Sequence, residues 1–212
     1  MLMTIALICL AYLLGSISGS LLVGRLRRVD IREHGSGNAG GTNALRILGL
    51  KLALAVVAID VGKGALAVWL AQHLTPSEAP LAPTETAFLA GLLAIVGHCW
   101  PLWHGFRGGK GGATLVGALI LLWPLALLPV LAVWLLVLGL SGYVSAATIL
   151  AAWAVPAFAG FNGDPVRLAF GLSAAALILF THRSNLDRLL AGNERRFHRA
   201  RLLWPGRSQH RP

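Results

Sequence analysis

Residues 50–74 read LKLALAVVAIDVGKGALAVWLAQHL, an apolar stretch long enough to cross a lipid bilayer. A spanning helix needs about 20 predominantly apolar residues. Asp60 and Lys63 lie in the middle of this stretch, where charged side chains are energetically expensive and usually functional. Because residues at i and i+3 are neighbours on a helix, the two can pair. The stretch therefore predicts a membrane span with a structural ion pair that also lines a cavity.

The rest of the chain has the same character. Of its 212 residues, 56% are hydrophobic and only 12% are charged, whereas soluble domains carry about 25% charged residues. Cys9 and Cys99 lie in apolar segments, as small buried hydrophobic residues do, and no pattern indicates a disulfide, a metal site or a cofactor. The composition predicts an all-α integral membrane protein.

We predict about seven transmembrane helices, several of them short. Trp123-Pro124 divides the apolar stretch 113–140 into two helices, and Asn162-Gly163-Asp164-Pro165 forms a turn. Residues 1–23 lack a basic leading region, which favours a first span over a cleaved signal. The predicted spans are residues 3–24, 50–74, 86–103, 112–123, 125–140, 144–161 and 165–180.

The net charge of +10 is concentrated in three segments. Of 18 Lys and Arg, six lie in residues 25–51, two in 107–110 and eight in 183–211. This pattern follows the positive-inside rule rather than indicating nucleic-acid binding, and it suits anionic lipid headgroups. It predicts an outside N-terminus and a cytoplasmic C-terminus. We expect one membrane domain, residues 1–194, an Arg-rich cytoplasmic tail, residues 195–212, and no obligate protein partner.

Three polar, glycine-rich islands interrupt the apolar sequence. They are residues 35–46 (GSGNAGGTNALR), residues 105–114 (GFRGGKGGAT) and residues 182–194, which begin HRSN and end GNE. Polar backbone is tolerated at membrane depth only inside protein or along a wet cavity. On the predicted topology all three islands face the cytoplasm, where they can converge on one site.

The second island resembles an anion cradle around Lys110. Glycine allows successive N–H groups to turn toward one centre. A Walker A loop is excluded because His104 and Gly111 occupy positions that need Gly and Ser or Thr. The predicted phosphate-binding glycines are Gly108, Gly109, Gly111 and Gly112.

The first island contains G-x-G-x-x-G at residues 35–40. A dinucleotide site is excluded because a charged run, not a strand, precedes it. The backbone around Gly37 then forms a second nest, and the guanidinium of Arg46 suits a phosphate. Asn38 and Asn43 can either bind a ligand or satisfy the turn backbone. Further candidates are Ser36 and Thr42.

The third island begins with His182 and Asn185, which are spaced to share one helical face. Both are candidate substrate contacts. Glu194 is either an ion-pair partner that holds the islands together or a catalytic carboxylate. His182 and Asp187 also form an H-x-x-x-x-D pattern, which is typical of an acyltransferase superfamily.

Three residues at predicted cytoplasmic ends of spans can each supply one hydrogen bond. They are His98, Ser145 and Thr148. A substrate contact and a structural role remain open for each of them.

Together these motifs resemble the bacterial acyl-phosphate:glycerol-3-phosphate acyltransferases. The similarity rests on GSGNAGGTNALR, DVGKG, GHCWPLWHGFRGGKGGAT and HRSNLDRLLAGNE, in that order and spacing. It implies a multi-pass protein of the bacterial inner membrane that acylates the sn-1 hydroxyl of glycerol 3-phosphate from acyl-phosphate. The product would be lysophosphatidic acid, and neither acyl-CoA nor acyl carrier protein would be the direct donor. By position, the matching residues are Ser36, Arg46, Lys110 with the loop 108–112, His182, Asn185 and Glu194.

The chain departs from that family pattern at four positions. Ala39 and Gly41 stand where Pro and Ala are frequent, and Gly112 replaces a frequent Val. Gly142 stands where Arg is frequent, which removes an expected charge near Ser145 and Thr148.

The residues show no Ser–His nucleophile pair, so we expect direct attack by the substrate hydroxyl. Positioning of two anions and neutralisation of their charge would supply most of the catalysis. The loop 108–112 would cradle one phosphate, and Arg46, Lys110, Ser36 and Asn185 would hold the other. A phosphate oxygen or His182 would accept the proton. A transporter of a phosphorylated metabolite and a thioester-dependent H-x-x-x-x-D acyltransferase are the alternatives.

Overall fold

The structure is a computed structural model that describes residues 1–197. Residues 198–212 of the predicted tail lie outside the described residues, and the division at residue 194 stays a prediction. The described chain forms helices and no strand. The helices are α1 (Leu2–Gly15), α2 (Gly19–Leu26), α3 (Gly41–Leu48), α4 (Leu50–Leu74), α5 (Pro83–Cys99), α6 (Gly112–Leu122), α7 (Leu127–Ser141), α8 (Val144–Asn162), α9 (Pro165–Thr181) and α10 (Arg183–Leu190).

The described helices contain fewer full spans than the predicted seven. Among residues 1–197, two bent pairs, α1 with α2 at 42° and α9 with α10 at 59°, each have the length of one broken span. Helix α6 has 11 residues, about 16 Å at 1.5 Å per residue against a hydrocarbon core of about 30 Å. The unbroken stretches long and apolar enough to cross are Leu50–Leu74, Pro83–His104, Pro124–Ser141 and Val144–Asn162. The described helices therefore give four to six full spans, and the orientation of the termini stays a prediction.

The first predicted span, residues 3–24, is broken rather than continuous. Helix α1 ends at Gly15 and α2 begins at Gly19. Side chains of α4 satisfy the backbone groups that the break exposes. Lys63 Nζ donates to the carbonyl oxygens of Gly15, at 2.7 Å, and Ile17, at 2.6 Å. Asp60 Oδ1 accepts from the N–H of Gly19 at 3.2 Å. The charges inside α4 thus stabilise a kink in a neighbouring helix.

Two boundaries predicted from proline and glycine are confirmed. Helix α6 ends directly before Trp123, and Pro124 opens a short 3-10 turn that leads into α7. The turn after α8 places Gly163 at a φ of 66°, and the Asp164 side chain caps α9 by accepting from the N–H of Arg167 at 3.0 Å. Both follow from local chemistry, since proline cannot continue a helix and glycine tolerates a left-handed backbone.

Helix α4 is the centre of the fold and packs against α1, α5 and α6, while α8 packs between α7 and α9. Small residues allow α4 and α6 to approach closely. A Cβ on Gly64 would overlap the backbone of Thr114, and one on Gly117 would overlap Val61. Small residues at such crossings are typical of membrane helices. This contact fixes the first turn of α6 beside α4, where the glycine-rich loop 105–111 ends.

Candidate active site

One cavity of about 520 Å³ is lined by residues of all three islands and by α7 and α8. The structure therefore brings together segments far apart in sequence, as the charge distribution predicts. The predicted site residues that line it are Ser36, Asn38, Thr42, Asn43, Arg46, Asp60, His98, Lys110, Gly111, Gly112, Ser145, Thr148, His182, Asn185 and Glu194.

The side chain of Asn43 stabilises the turn of the first island through three hydrogen bonds. Its Oδ1 accepts from the N–H of Ser36 at 2.9 Å, and its Nδ2 donates to the carbonyls of Ile31, at 2.9 Å, and His34, at 3.0 Å. Asn43 is buried, and three of the four hydrogen bonds that its amide can make hold the turn. Of the two roles open for it, the geometry favours the turn. Gly37 does not line the cavity, and its N–H donates to the His34 carbonyl at 3.0 Å within the same turn.

The glycine-rich loop offers fewer free N–H groups than its sequence predicts. Gly108 donates its N–H to the Cys99 carbonyl at 3.1 Å, and Gly109 donates to the His98 carbonyl at 3.0 Å. Neither glycine lines the cavity. Of the predicted phosphate-binding loop, residues 108–112, only residues 110–112 lie at the site. Gly111, at a φ of 91°, and Gly112 line the cavity at the start of α6. The first N–H groups of a helix have no intrahelical partner and suit an anion.

Lys110 crosses from this loop to the third island. Its Nζ donates to Oδ1 of Asn185, and its backbone carbonyl accepts from Thr181 Oγ1 at 3.1 Å. Burial lowers the pKa of Lys110 to about 8, with further lowering from the nearby charge of Arg188 and partial compensation by Glu194. An anionic ligand beside Lys110 would therefore stabilise the charged form of its side chain.

His182 lies at the bend between α9 and α10, directly before α10 begins, and both it and Asn185 line the cavity. Its Nδ1 is 2.8 Å from the carbonyl oxygen of Ile178. Because a carbonyl oxygen only accepts, Nδ1 carries the proton of the neutral ring and Nε2 keeps a lone pair. Fixing one ring nitrogen in this way sets the tautomer of the other.

Glu194 ties three segments together at the cavity. Its Oε1 accepts from Asn185 Nδ2 at 2.6 Å and from Ser145 Oγ at 2.9 Å, and its Oε2 pairs with Arg188 Nε at 2.7 Å. Burial raises the pKa of Glu194, but these hydrogen bonds outweigh burial and hold that pKa below its usual range. The sequence left two roles open for Glu194, an ion-pair partner and a catalytic carboxylate. The geometry supports the ion-pair role.

Asp60, Lys63 and His98 form a buried polar cluster at the cavity wall. Lys63 Nζ lies 3.1 Å from Asp60 Oδ1 and 2.8 Å from His98 Nδ1. The predicted ion pair is present, and Asp60 and His98 line the cavity whereas Lys63 does not. Because an ammonium only donates, Nδ1 of His98 accepts. Through His98 the cluster contacts Gly109 and thus the loop that carries Lys110.

The opposite wall of the cavity is apolar and comes from α7 and α8. Thr148 belongs to this wall, where its Oγ1 donates to the Val144 carbonyl at 2.8 Å and accepts from Trp134 Nε1 at 3.3 Å. The apolar lining includes Val130, Leu131, Trp134, Ala151 and Ala152. One cavity thus combines a basic side and a hydrocarbon-like side.

A family model described as glycerol-3-phosphate acyltransferase matches residues 5–192. The chain belongs to the glycerol-3-phosphate acyltransferase family. The glycerol-3-phosphate acyltransferase of Chlorobium luteolum is 37% identical, over 92% of this chain and 97% of its own. That of Geobacillus kaustophilus is 41% identical, over 97% and 99%. The family resemblance seen in the motifs is confirmed.

Solved structures agree with the family. The crystal structure of PlsY (YgiH), an integral membrane glycerol 3-phosphate acyltransferase, in its glycerol 3-phosphate form has a TM-score of 0.84 at 36% identity. That similarity covers 92% of this chain and 95% of PlsY. The lysophosphatidic acid form has a TM-score of 0.81, over 91% and 94%. This chain is therefore an integral membrane acyltransferase-family protein with the PlsY fold.

Some residues that line the cavity of this acyltransferase-family chain are not among the predicted site residues. Arg188 lies three residues after Asn185 on α10, a spacing that was available as a signal. Arg195 and Trp134 also line the cavity, but no motif points to either. Asp187, the acidic residue of the H-x-x-x-x-D pattern, is exposed and does not line the cavity, so the geometry gives that alternative no support.

Proposed function

We propose that this protein transfers a fatty acyl group from acyl-phosphate to the sn-1 hydroxyl of glycerol 3-phosphate. The products are lysophosphatidic acid and phosphate. The observation that carries the proposal is the single cavity with a basic side, from Arg46 and Lys110, facing an apolar wall at Val130 and Leu131. Both substrates are phosphate esters or anhydrides, and only one carries a long hydrocarbon chain. A cavity of this polarity can hold two phosphates while the acyl chain lies against α7 and α8.

The chemistry we propose is direct transfer without an acyl-enzyme. The sn-1 oxygen attacks the acyl carbonyl carbon, the bond from that carbon to the phosphate oxygen breaks, and phosphate leaves. His182 Nε2 accepts the hydroxyl proton, because Nδ1 is already committed to the Ile178 carbonyl. Arg46 and Lys110 neutralise the phosphates, and the first turn of α6 at Gly112 offers N–H groups to one of them. Electrostatic stabilisation of this kind is commonly the largest catalytic contribution.

The test supplies the purified protein with acyl-phosphate and labelled glycerol 3-phosphate and measures labelled lysophosphatidic acid. Arg46→Ala and Lys110→Ala should each lose most activity while keeping the thermal unfolding transition. Lys51→Ala is the matched control, since Lys51 is exposed and does not line the cavity. Near-wild-type turnover in Arg46→Ala or Lys110→Ala would contradict the residue assignment.

The donor and the reaction type are tested in the same system. Product from acyl-CoA but not from acyl-phosphate would refute the proposed donor, and a trapped acyl-enzyme on Ser36 would refute direct attack. Glycerol 3-phosphate flux into proteoliposomes without acyl transfer would favour a transporter. His182→Asn cannot accept the proton, so turnover near wild type would move the acceptor to a phosphate oxygen.

We propose that the cavity opens to the cytoplasm of a bacterial inner membrane, because the basic segments surround it and follow the positive-inside rule. In a Cys9→Ser background, Ser77→Cys and Arg28→Cys should be labelled from opposite sides by a membrane-impermeant maleimide. Ser77 and Arg28 are both exposed in the structure. Labelling of Arg28→Cys from the periplasmic side would contradict the orientation.

A further inference from the structure

Residues 194–197, which we name the C-terminal strap, fold back across the mouth of the cavity. At one end Glu194 is held by Ser145, Asn185 and Arg188, as described above. At the other end the N–H of Phe197 donates to the Gly142 carbonyl at 2.7 Å. The strap is thus fixed on both sides of Arg195, which limits where that residue can point.

The arginines around the strap have different environments. Arg188 pairs with Glu194. Arg196 donates from Nε to Tyr143 Oη at 2.7 Å, and its guanidinium lies 4.9 Å above the Tyr143 ring. Among residues 1–197, no side-chain hydrogen bond or ion pair involves Arg195, although this residue lines the cavity. Arg195 is therefore the strap arginine that lines the cavity without a side-chain partner among residues 1–197.

Arg195 and Arg46 line the same cavity. Burial lowers the pKa of Arg46, and repulsion from the Arg195 charge lowers it further. Two guanidinium groups that line one cavity and repel each other are stabilised when an anion lies between them. A guanidinium binds a phosphate through two parallel hydrogen bonds, which suits a dianionic phosphate monoester.

We propose that Arg195 is a substrate-binding residue that, with Arg46, holds the phosphate of glycerol 3-phosphate. This inference rests on the proposed function. The choice between the two phosphates follows from position. Arg195 is exposed at the mouth of the cavity, where a water-soluble substrate enters, and the acyl chain needs the apolar wall of α7. The C-terminal strap therefore completes the binding site for glycerol 3-phosphate.

The experiment compares Arg195→Gln with Arg183→Gln. Arg183 is exposed on α10, does not line the cavity and stacks on Phe180 at 4.5 Å. The pair separates a direct contact from a change in net charge. We expect Arg195→Gln to raise KM for glycerol 3-phosphate by about 10-fold or more, the effect of losing a charged hydrogen bond. KM for acyl-phosphate, kcat and the unfolding temperature should stay close to wild type, and Arg183→Gln should resemble wild type throughout.

Two further measurements make the test specific. Arg195→Lys keeps the charge and should recover part of the affinity, which a merely structural role would not predict. The shift of the unfolding temperature caused by glycerol 3-phosphate alone should shrink in Arg195→Gln, whether or not acyl-phosphate is the donor. An unchanged thermal shift and KM for glycerol 3-phosphate would overturn the proposal, and so would a rise in KM for acyl-phosphate alone. If wild type binds glycerol 3-phosphate but does not use acyl-phosphate, only the proposed donor fails.

Discussion

Gly109→Ala should uncouple the Lys110 loop from the fold at little cost to the rest of the protein. A methyl group at Gly109 would overlap His98 Nε2 and would lie 2.7 Å from His98 Cε1 and 2.9 Å from the Ala39 carbonyl oxygen. Ordinary contact begins at 3.4 Å, so the groups must separate by about 0.7 Å or more. The His98 ring cannot easily turn away, because Lys63 holds its Nδ1 at 2.8 Å. The loop must therefore move.

That movement has two measurable effects. Overpacking a tight site costs about 1–3 kcal/mol of unfolding free energy. The larger effect should be on turnover, because Lys110 is the next residue and a misplacement of about 1 Å can cost about 100-fold in rate. We expect kcat to fall by about 100-fold, while thermal unfolding in detergent, followed by tryptophan fluorescence, still shows one folded population.

Gly62→Ala is the matched control for this substitution. Gly62 lies on the exposed side of α4, and an added Cβ meets no atom within 4 Å. Alanine in a helix interior is favoured over glycine by about 0.5–1 kcal/mol, so this variant should be fully active and equally or more stable. Wild-type turnover in Gly109→Ala, or an equal loss in Gly62→Ala, would refute the proposed coupling.

Three further outcomes are expected. Lys110 is cationic below its pKa of about 8, so kcat/KM for glycerol 3-phosphate should fall as the pH rises through 8, and Lys110→Arg should flatten that profile; a flat wild-type profile to about pH 9.5 would contradict this. Asp60→Asn leaves Lys63 buried without its carboxylate and should cost about 3–5 kcal/mol of stability. Asp164→Asn, in a half-exposed i,i+3 pair, should cost about 1 kcal/mol or less. Both are measured by thermal unfolding, and equal losses would refute the contrast. Asp187→Asn should keep acyl-transfer activity close to wild type, and loss of activity would revive the H-x-x-x-x-D alternative.

Local chemistry explains which parts of the fold could be predicted. Pro124 and the turn at Asp164 follow from residues at the boundaries themselves, so the sequence predicts them. The break between α1 and α2 was missed, although residues 15–20 read GSISGS and Ser18 caps α2 by accepting from the N–H of Leu21 at 3.4 Å. Gly and Ser pairs are a known local cause of helix kinks, but the apolar pattern of residues 3–24 hides this signal. Asp60 and Lys63, which lie on another helix, add a stabilisation that the local sequence does not show.

In the site, too, some features could be predicted from the sequence and others depend on the folded structure. The convergence of the islands follows from charge distribution, which is readable along the chain. Whether an N–H group is free is a tertiary property, so the sequence could not show that Gly108 and Gly109 are already bonded to the end of α5. Arg195 belongs to an Arg-rich segment in which no spacing distinguishes it from Arg196. Only the folded strap separates the arginine that faces the cavity from the one that faces Tyr143.

The proton acceptor can be argued by elimination among the acidic and imidazole side chains that line the cavity in residues 1–197. Glu194 already accepts from three side chains, so both of its oxygens are engaged. Burial also lowers the pKa of His182, to about 4, so the choice between the two rests on hydrogen bonding and not on basicity. Asp60 is paired with an ammonium, and Nδ1 of His98 accepts from the same ammonium. His182 differs, because its one established hydrogen bond uses Nδ1 as a donor and leaves the lone pair of Nε2 available. A base with a preset tautomer needs no rearrangement when the hydroxyl arrives, so we expect His182, fixed at the bend between α9 and α10, to be the acceptor.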